Sequence, residues 1–132
     1  MPIAALDHAA IPIDDVDAML RFYADLGFDV REMQPPLFYS VVFGEHKINF
    51  HGPKAWRSST FALRGPSAEP GCGDFCFVWD GTVEQLVEML AGLDVPILEG
   101  PVARVGGRGQ TGQSTYIRDP DGNLLEFIVY PA

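Results

Sequence analysis

The sequence of 132 residues has few cysteines, few basic residues and no long apolar run, and each scarcity excludes a class of protein. Its two cysteines, Cys72 and Cys76, lie in or beside one predicted strand, where neighbours at this spacing rarely have disulfide geometry. We therefore expect reduced thiols, as is typical of a cytoplasmic protein. Nine basic residues against 18 acidic ones give a net charge of -9, which disfavours nucleic acid and anionic membranes as partners.

Apolar residues are plentiful but dispersed. No stretch approaches the roughly 20 apolar residues that a membrane-spanning helix needs, and the first residues lack the basic and then apolar pattern of a signal peptide. A hydrophobic fraction of 47% with 20% charged residues is typical of a globular chain. We expect one domain over residues 1–132, large enough to bury a core.

The periodicity of the apolar residues predicts the same order of elements twice. In the first half, a strand over residues 3–13 precedes a helix that Asp14 or Asp15 caps and Gly27 ends. Three further strands are predicted at 28–33, 38–43 and 47–51, with a turn at Gly44-Glu45. Residues 55–71 are rich in glycine, proline and serine and are interpreted as a connecting linker.

The second half repeats the pattern. A strand over 73–79 is followed by a helix whose start carries the capping-box pair Thr82 and Gln85 and whose end is assigned to Gly92. Strands are predicted at 97–102, 113–118 and 123–130, with a turn at 119–122 between the last two. The sequence therefore predicts an α+β fold of two βαβββ modules, about 1–54 and 72–132, that form a curled mixed sheet around a central cavity.

Two polar residues stand out in the predicted strands. His8 shares a strand face with Leu6 and Ala10, where an unpaired imidazole is costly to bury. Glu126 lies within the apolar run 124–129, where an ionised carboxylate needs a cation or several hydrogen-bond donors. A divalent ion between His8 and Glu126 satisfies both, whereas the plainer interpretation of His8 is a core histidine bonded to a carbonyl.

Two motifs at opposite ends of the chain resemble one known superfamily. The opening motif comprises Leu6-Asp7-His8, Ile13-Asp14-Asp15-Val16, Phe22-Tyr23 and Leu26-Gly27-Phe28, and the closing motif is Arg118-Asp119-Pro120-Asp121-Gly122-Asn123-Leu124-Leu125-Glu126. In this order, over residues 3–130, they resemble the vicinal oxygen chelate superfamily of glyoxalases, extradiol dioxygenases and bleomycin-resistance proteins. The stretches 47–51 and 99–102 further resemble an uncharacterised glyoxalase-domain branch.

The resemblance implies a divalent metal ion, whether iron, manganese, zinc or nickel, that chelates two adjacent oxygens of a small-molecule substrate. We accordingly expect a metal-dependent lyase, isomerase or dioxygenase, and a homodimer. The alternative is a metal-free protein of the bleomycin-resistance type that binds a drug or antibiotic in the same cavity. A third interpretation is a structural or regulatory module with a closed cavity, whose interior is filled by side chains.

The resemblance also bears on the remaining ligands. Glyoxalase-type sites take ligands from the last strand of the first module and the first strand of the second. Asn49 falls at the position that pairs with Glu126, but amides are weak ligands for transition metals. We therefore predict His51 as the third ligand, with Asn49 contacting substrate, although His51 is equally well placed to be exposed at the strand end. Asp74 stands where many relatives have a histidine and is a candidate base or ligand.

Weaker signals lie in the last part of the chain. A glycine-rich segment at 104–112 contains Arg104 and Arg108, either of which suits a substrate carboxylate or phosphate, but a mobile hairpin connection explains them as well. Tyr116 and Arg118 alternate along the next strand and are candidate substrate contacts, for which sheet packing is the alternative. Glu126, or Asp74 if it is not a ligand, is the expected proton carrier.

Overall fold

The computed structural model describes residues 2–132, which contain eight strands and three helices. The strands are β1 (His8–Pro12), β2 (Asp29–Gln34), β3 (Phe38–Phe43), β4 (His46–His51), β5 (Asp74–Val78), β6 (Glu99–Val105), β7 (Thr111–Arg118) and β8 (Leu124–Val129). The helices are α1 (Val16–Leu26), α2 (Pro53–Trp56) and α3 (Val83–Gly92).

The chain divides into two compact units, and the division falls between Cys72 and Gly73. Each unit has a four-stranded mixed sheet, of order β1-β4-β3-β2 in the first and β5-β8-β7-β6 in the second. The first and last strands of each unit pair in parallel, and the other pairs are antiparallel. The predicted α+β class with two βαβββ modules is confirmed.

The two sheets also share their register. Asn49 pairs with Ala10, the third residue of β1, and Glu126 pairs with Cys76, the third residue of β5. Asn49 and Glu126 therefore occupy equivalent positions in the two modules. The first residues of β1 and β5 are equivalent in the same way.

Helix α1 forms where the sequence predicts it. The Asp15 side chain accepts a hydrogen bond from the Ala18 N–H, which satisfies one of the free donors of the first turn. Gly27 ends the helix at a φ of 104°, a left-handed conformation that glycine adopts without a steric penalty from Cβ. Tyr23, fully buried, turns its ring edge-on to Phe50 of β4 at 5.2 Å and so fixes the helix on the sheet.

Helix α3 begins and ends where the sequence predicts. Both hydrogen bonds of the capping box are present, from Gln85 N–H to the Thr82 hydroxyl and from Thr82 N–H to the Gln85 side chain. Gly92 is the last helical residue, so the predicted end of the helix is confirmed. The left-handed conformation that follows, with a φ of 55°, falls on Asp94, a residue type that tolerates it.

Alternation along the strands gives each sheet one face that packs under its helix. In the first unit this face carries Ile11, Tyr39, Val41, Ile48 and Phe50, all of which are buried. In the second unit it carries Phe77, Ile117, Leu125 and Phe127, below Leu86 and Leu90 of α3. The polar positions singled out from the sequence lie on the opposite faces.

Some predicted bounds were wrong. The first strand begins only at His8, so Leu6 lies outside it and is 78% exposed. Strand β6 begins at Glu99 and extends to Val105, three residues beyond its predicted end. The predicted linker contributes its first two residues to α2, with Pro53 in the first turn, where its missing N–H has no consequence. Among residues 2–132, none of the helices combines the length and the apolarity required to cross a membrane.

Candidate functional site

A cavity of about 440 Å³ lies in the first unit, on the face of its sheet that does not carry α1. It is lined by His8, Ala10, Met33, Gln34, Phe38, Tyr39, Asn49, His51, Phe61 and Leu63. Three of the predicted site residues, His8, Asn49 and His51, thus line one cavity.

The strand register decides which of the polar residues converge. His8 pairs with Lys47, so Asn49 lies two residues and His51 four residues farther along the sheet. At about 3.3 Å per residue these offsets are roughly 7 Å and 13 Å. Side chains on one sheet face stand roughly perpendicular to the sheet, so residues 13 Å apart do not converge on one ion. His8 is therefore better placed to share a ligand with Asn49 than with His51.

Asn49 has an unsatisfied side chain. Its Oδ1 atom is buried, and the residues described by the structure place no hydrogen-bond donor within reach of it. Buried side-chain oxygens are nearly always paired, because an unpaired one loses its hydration without compensation. An unpaired acceptor beside a cavity is a candidate contact for a donor group or a cation.

His51 is enclosed by aromatic rings. Phe38 and Phe61 meet the imidazole edge-on, with ring centroids at 5.7 Å and 5.2 Å. Burial and, to a lesser degree, the charge of Arg64 lower the pKa of His51 below its usual value. Both effects disfavour the imidazolium ion, so the ring that faces the cavity is neutral at physiological pH.

His8 differs from the sequence-based expectation. It is the first residue of β1 rather than a mid-strand residue, and its side chain is 42% exposed. The expectation of a buried imidazole was wrong because the chain before His8 does not pair with the sheet. Its Nδ1 atom lies 2.6 Å from Oδ2 of Asp7. A carboxylate at Nδ1 favours the tautomer with the proton there, which leaves Nε2 with its lone pair free to bind.

The connecting segment supplies part of the cavity wall, which the sequence analysis missed. Phe61 and Leu63 line the cavity, although they lie in a stretch interpreted only as a linker. The segment is anchored at its start, where the Trp56 indole N–H donates to the Ile13 carbonyl at 2.8 Å. Within the segment, Arg64 donates to the Ala68 carbonyl. The signal in the sequence was the presence of two large apolar residues, Phe61 and Leu63, in a stretch rich in glycine, proline and serine.

In the second unit, Glu126 is half-buried on the equivalent face of β8. The buried Ser114 hydroxyl donates to its Oε2 atom at 2.6 Å. The sequence-based expectation that this carboxylate needs a donor is thus met in part by a side chain of β7. Its pair partner Cys76 has a raised pKa of about 12, because of burial and then because of the neighbouring Glu126 carboxylate. Cys76 is consequently a thiol rather than a nucleophilic thiolate at neutral pH.

The other candidate residues of this unit are more exposed. Asp74 begins β5 and is exposed, as is Arg118 at the end of β7, which donates to the Gly122 carbonyl at 3.1 Å. Arg104 belongs to β6 rather than to a mobile connection. Its guanidinium bonds Glu99 Oε2 at 2.8 Å and the Tyr116 hydroxyl at 3.1 Å. Arg104 and Tyr116 therefore act as partners of one another across the β6–β7 hairpin.

The donor set bears on metal binding. Within residues 2–132, no three histidine, cysteine or acidic side chains are grouped closely enough to hold a metal ion. The amide oxygen of Asn49 is not counted in such a group, yet it is a neutral oxygen donor without a partner. Amide oxygens suit hard cations such as manganese better than soft ones. The imidazole of His8 and the unpaired amide oxygen of Asn49 are two donors that line this cavity or lie beside it.

Comparison with known proteins is consistent across sequence and structure. The sequence model of the Glyoxalase/Bleomycin resistance protein/Dioxygenase superfamily matches residues 5–127. The chain is 34% identical over 131 residues to virulence protein STM3117 of Salmonella typhimurium, covering 98% of this chain and 87% of that protein. It is 32% identical over 130 residues to the glyoxalase domain-containing protein RDO1 of Mycosarcoma maydis, covering 98% and 70% respectively.

Solved structures give the same result. The crystal structure of the Salmonella virulence protein superposes with a TM-score of 0.86 at 33% identity, covering 99% of this chain and all of the other. Lactoylglutathione lyase from Agrobacterium tumefaciens superposes with a TM-score of 0.73 at 25% identity, covering 97% and 95%. Both similarities extend over the two βαβββ modules and not over one of them alone.

Proposed function

Since the chain belongs to the Glyoxalase/Bleomycin resistance protein/Dioxygenase superfamily, we propose that it is a metal-dependent enzyme, a lyase, isomerase or dioxygenase, that acts on a small molecule with two adjacent oxygens. The observation that carries the proposal is the orphaned Oδ1 atom of Asn49 in a cavity that His8 also lines. A divalent ion bound by His8 Nε2 and Asn49 Oδ1 removes the cost of the unpaired oxygen.

The strand register supports Asn49, rather than His51, as the partner of His8. His51 then stands beside the bound substrate as a neutral imidazole that accepts or donates one hydrogen bond. Glu126 as a further ligand and Asp74 as a base stay predictions from the sequence. The bound ion would supply a Lewis acid for the substrate oxygens.

Metal binding is tested by titrating chelator-treated protein with manganese and following the free ion by electron paramagnetic resonance. We expect stoichiometric manganese binding to the wild-type chain. His8→Ala should bind manganese at least about tenfold more weakly, because the substitution removes one of the proposed metal ligands. His46→Ala is the matched control, since His46 is exposed at the start of β4 and does not line the cavity. A wild-type chain that neither binds manganese, iron, zinc or nickel nor gains thermal stability from them contradicts the proposal.

The rival function is that of a metal-free binding protein, and a different observation supports it. The cavity has a largely apolar wall of Met33, Phe38, Phe61 and Leu63, which suits a hydrophobic ligand. The two functions separate in the His8→Ala variant. Ligand affinity that is unchanged in this variant, with no metal bound to the wild type, establishes the binding protein instead.

A further inference from the structure

The lining of the first-unit cavity combines polar and apolar side chains. The polar ones are His8 of β1 and Asn49 and His51 of β4. The apolar ones include Phe38 of β3 and, from the segment after α2, Phe61 and the largely exposed Leu63. A ligand that contacts both kinds of side chain has a polar part and an apolar part.

Phe61 has a particular place in this wall. Its ring contacts Phe38 edge-on at 5.5 Å and the His51 imidazole at 5.2 Å. Two phenylalanine rings therefore lie around His51, one from a sheet strand and one from the connecting segment. Edge-on rings present faces and edges to which a further planar ring packs favourably, more so than a puckered aliphatic group of equal size.

The connecting segment holds Phe61 in a defined position. Gly52 N–H donates to the Leu37 carbonyl at 2.8 Å, and a Cβ at Gly52 would approach the Pro36 carbonyl to 2.8 Å. This close approach brings the start of the segment against the β2–β3 connection. The Trp56 indole then holds α2 to the end of β1. The start of the segment that carries Phe61 is thus held to the folded unit.

We infer that Phe61 is a specificity-determining residue that, with Phe38, selects substrates carrying a planar aromatic group beside the polar group that enters the part of the cavity lined by His8 and Asn49. The inference rests on the proposed function for the identity of the site, but the preference for an aromatic group concerns the wall alone. Phe61 has no role in holding the metal. It acts by excluding water and by packing on the ring.

The test uses two probes of similar size on metal-free protein, phenol and cyclohexanol, each with one hydroxyl donor. Binding is followed by isothermal titration calorimetry on the wild-type chain and on Phe61→Leu, Phe61→Ala and Phe43→Ala. Phe43→Ala is the matched control, because Phe43 also packs edge-on with another ring, Phe28, at 5.3 Å, but does not line the cavity.

We expect phenol to bind the wild type more tightly than cyclohexanol does. The affinity for phenol should fall about threefold to tenfold in both Phe61 variants, which corresponds to the loss of one interaction between aromatic rings. It should remain unchanged in Phe43→Ala. Phe61→Leu keeps apolar volume and so separates loss of the ring from loss of folding. Equal binding of phenol to the wild type and to Phe61→Leu, or no preference for phenol over cyclohexanol, overturns the inference.

The manganese titration is run on the same variants. Unchanged manganese affinity in Phe61→Leu with weakened phenol binding supports both proposals. Manganese that fails to bind the wild type, while phenol binding depends on Phe61, refutes the metal-dependent function and leaves the aromatic selectivity in place. Failure of the phenol result alone refutes only the inference about Phe61.

Discussion

Asn49 and Glu126 occupy equivalent positions in the two modules, yet their side-chain oxygens are in opposite states. The carboxylate of Glu126 accepts a hydrogen bond from the buried Ser114 hydroxyl. The amide oxygen of Asn49 is buried without a donor among the residues that the structure describes. The repeated strand register places the two residues at equivalent positions, but it does not determine the hydrogen-bond partners of their side chains.

The difference originates on the neighbouring strand. Ser114 pairs with Ile128, the fifth residue of β8 in the parallel ladder, and the equivalent pair in the first module is Phe38 with His51. The position that supplies a hydroxyl donor in the second module is therefore a phenylalanine in the first. The second module pairs its polar residue with a hydroxyl, while the first leaves the amide oxygen of Asn49 without a donor among the described residues.

The largest expected contrast concerns Cys76, whose thiol lies beside Glu126. With a pKa of about 12, roughly one Cys76 thiol in ten thousand is ionised at pH 8. We expect iodoacetamide at this pH to label Cys72 well before Cys76, as measured by mass spectrometry of digested protein. Glu126→Gln should accelerate the labelling of Cys76, because it removes a negative charge that disfavours the thiolate. Rapid labelling of Cys76 in the wild type would show that the carboxylate does not control this thiol.

A second experiment removes the donor of the second module. Ser114→Ala deletes the hydroxyl that bonds Glu126 and should lower the free energy of unfolding of metal-free protein by about 1 kcal/mol, since the half-exposed carboxylate recovers part of the loss from water. Urea denaturation measures the change. A double-mutant cycle with Glu126→Leu should return a coupling of similar size. A coupling near zero would mean that the hydrogen bond adds nothing to stability.

The smallest expected effect has the opposite sign. Asn49→Leu replaces an unpaired buried oxygen by an apolar group of similar volume and should raise the free energy of unfolding by about 0.5–1 kcal/mol. The same substitution should weaken manganese binding, so stability and binding change in opposite directions. Thermal unfolding and the manganese titration together test whether stability rises while manganese affinity falls. A variant less stable than the wild type would indicate that Asn49 is satisfied in solution.

The sequence predicted local structure well where the decisive hydrogen bonds join residues that are close in sequence. Asp15 and Gly27 bound α1, and Thr82 with Gln85 starts α3, because capping depends on residues three or four positions apart. Leu6 was placed in a strand that begins two residues later, at His8, because pairing depends on a distant partner. The burial of His8 was misjudged for the same reason.

The candidate site was predicted in its strands but not in its wall. His8, Asn49 and His51 alternate with apolar residues, so their shared face follows from strand periodicity. Phe61 and Leu63 carry no periodic signal, and only tertiary packing brings them to the cavity. The choice of His51 over Asn49 as a ligand followed metal preference and stays a prediction, and the proposal of Asn49 instead rests on the register and the orphaned oxygen.

The placement of Phe61 on the segment after α2 has a consequence for how such a protein diversifies. Its side chain takes no part in a strand ladder, so exchanging it leaves every interstrand pairing of the first sheet intact. Loops held on a rigid scaffold tolerate exchange better than the scaffold does. A single substitution at position 61, outside the helices and strands, can thus change which compounds the cavity accepts without destabilising the fold.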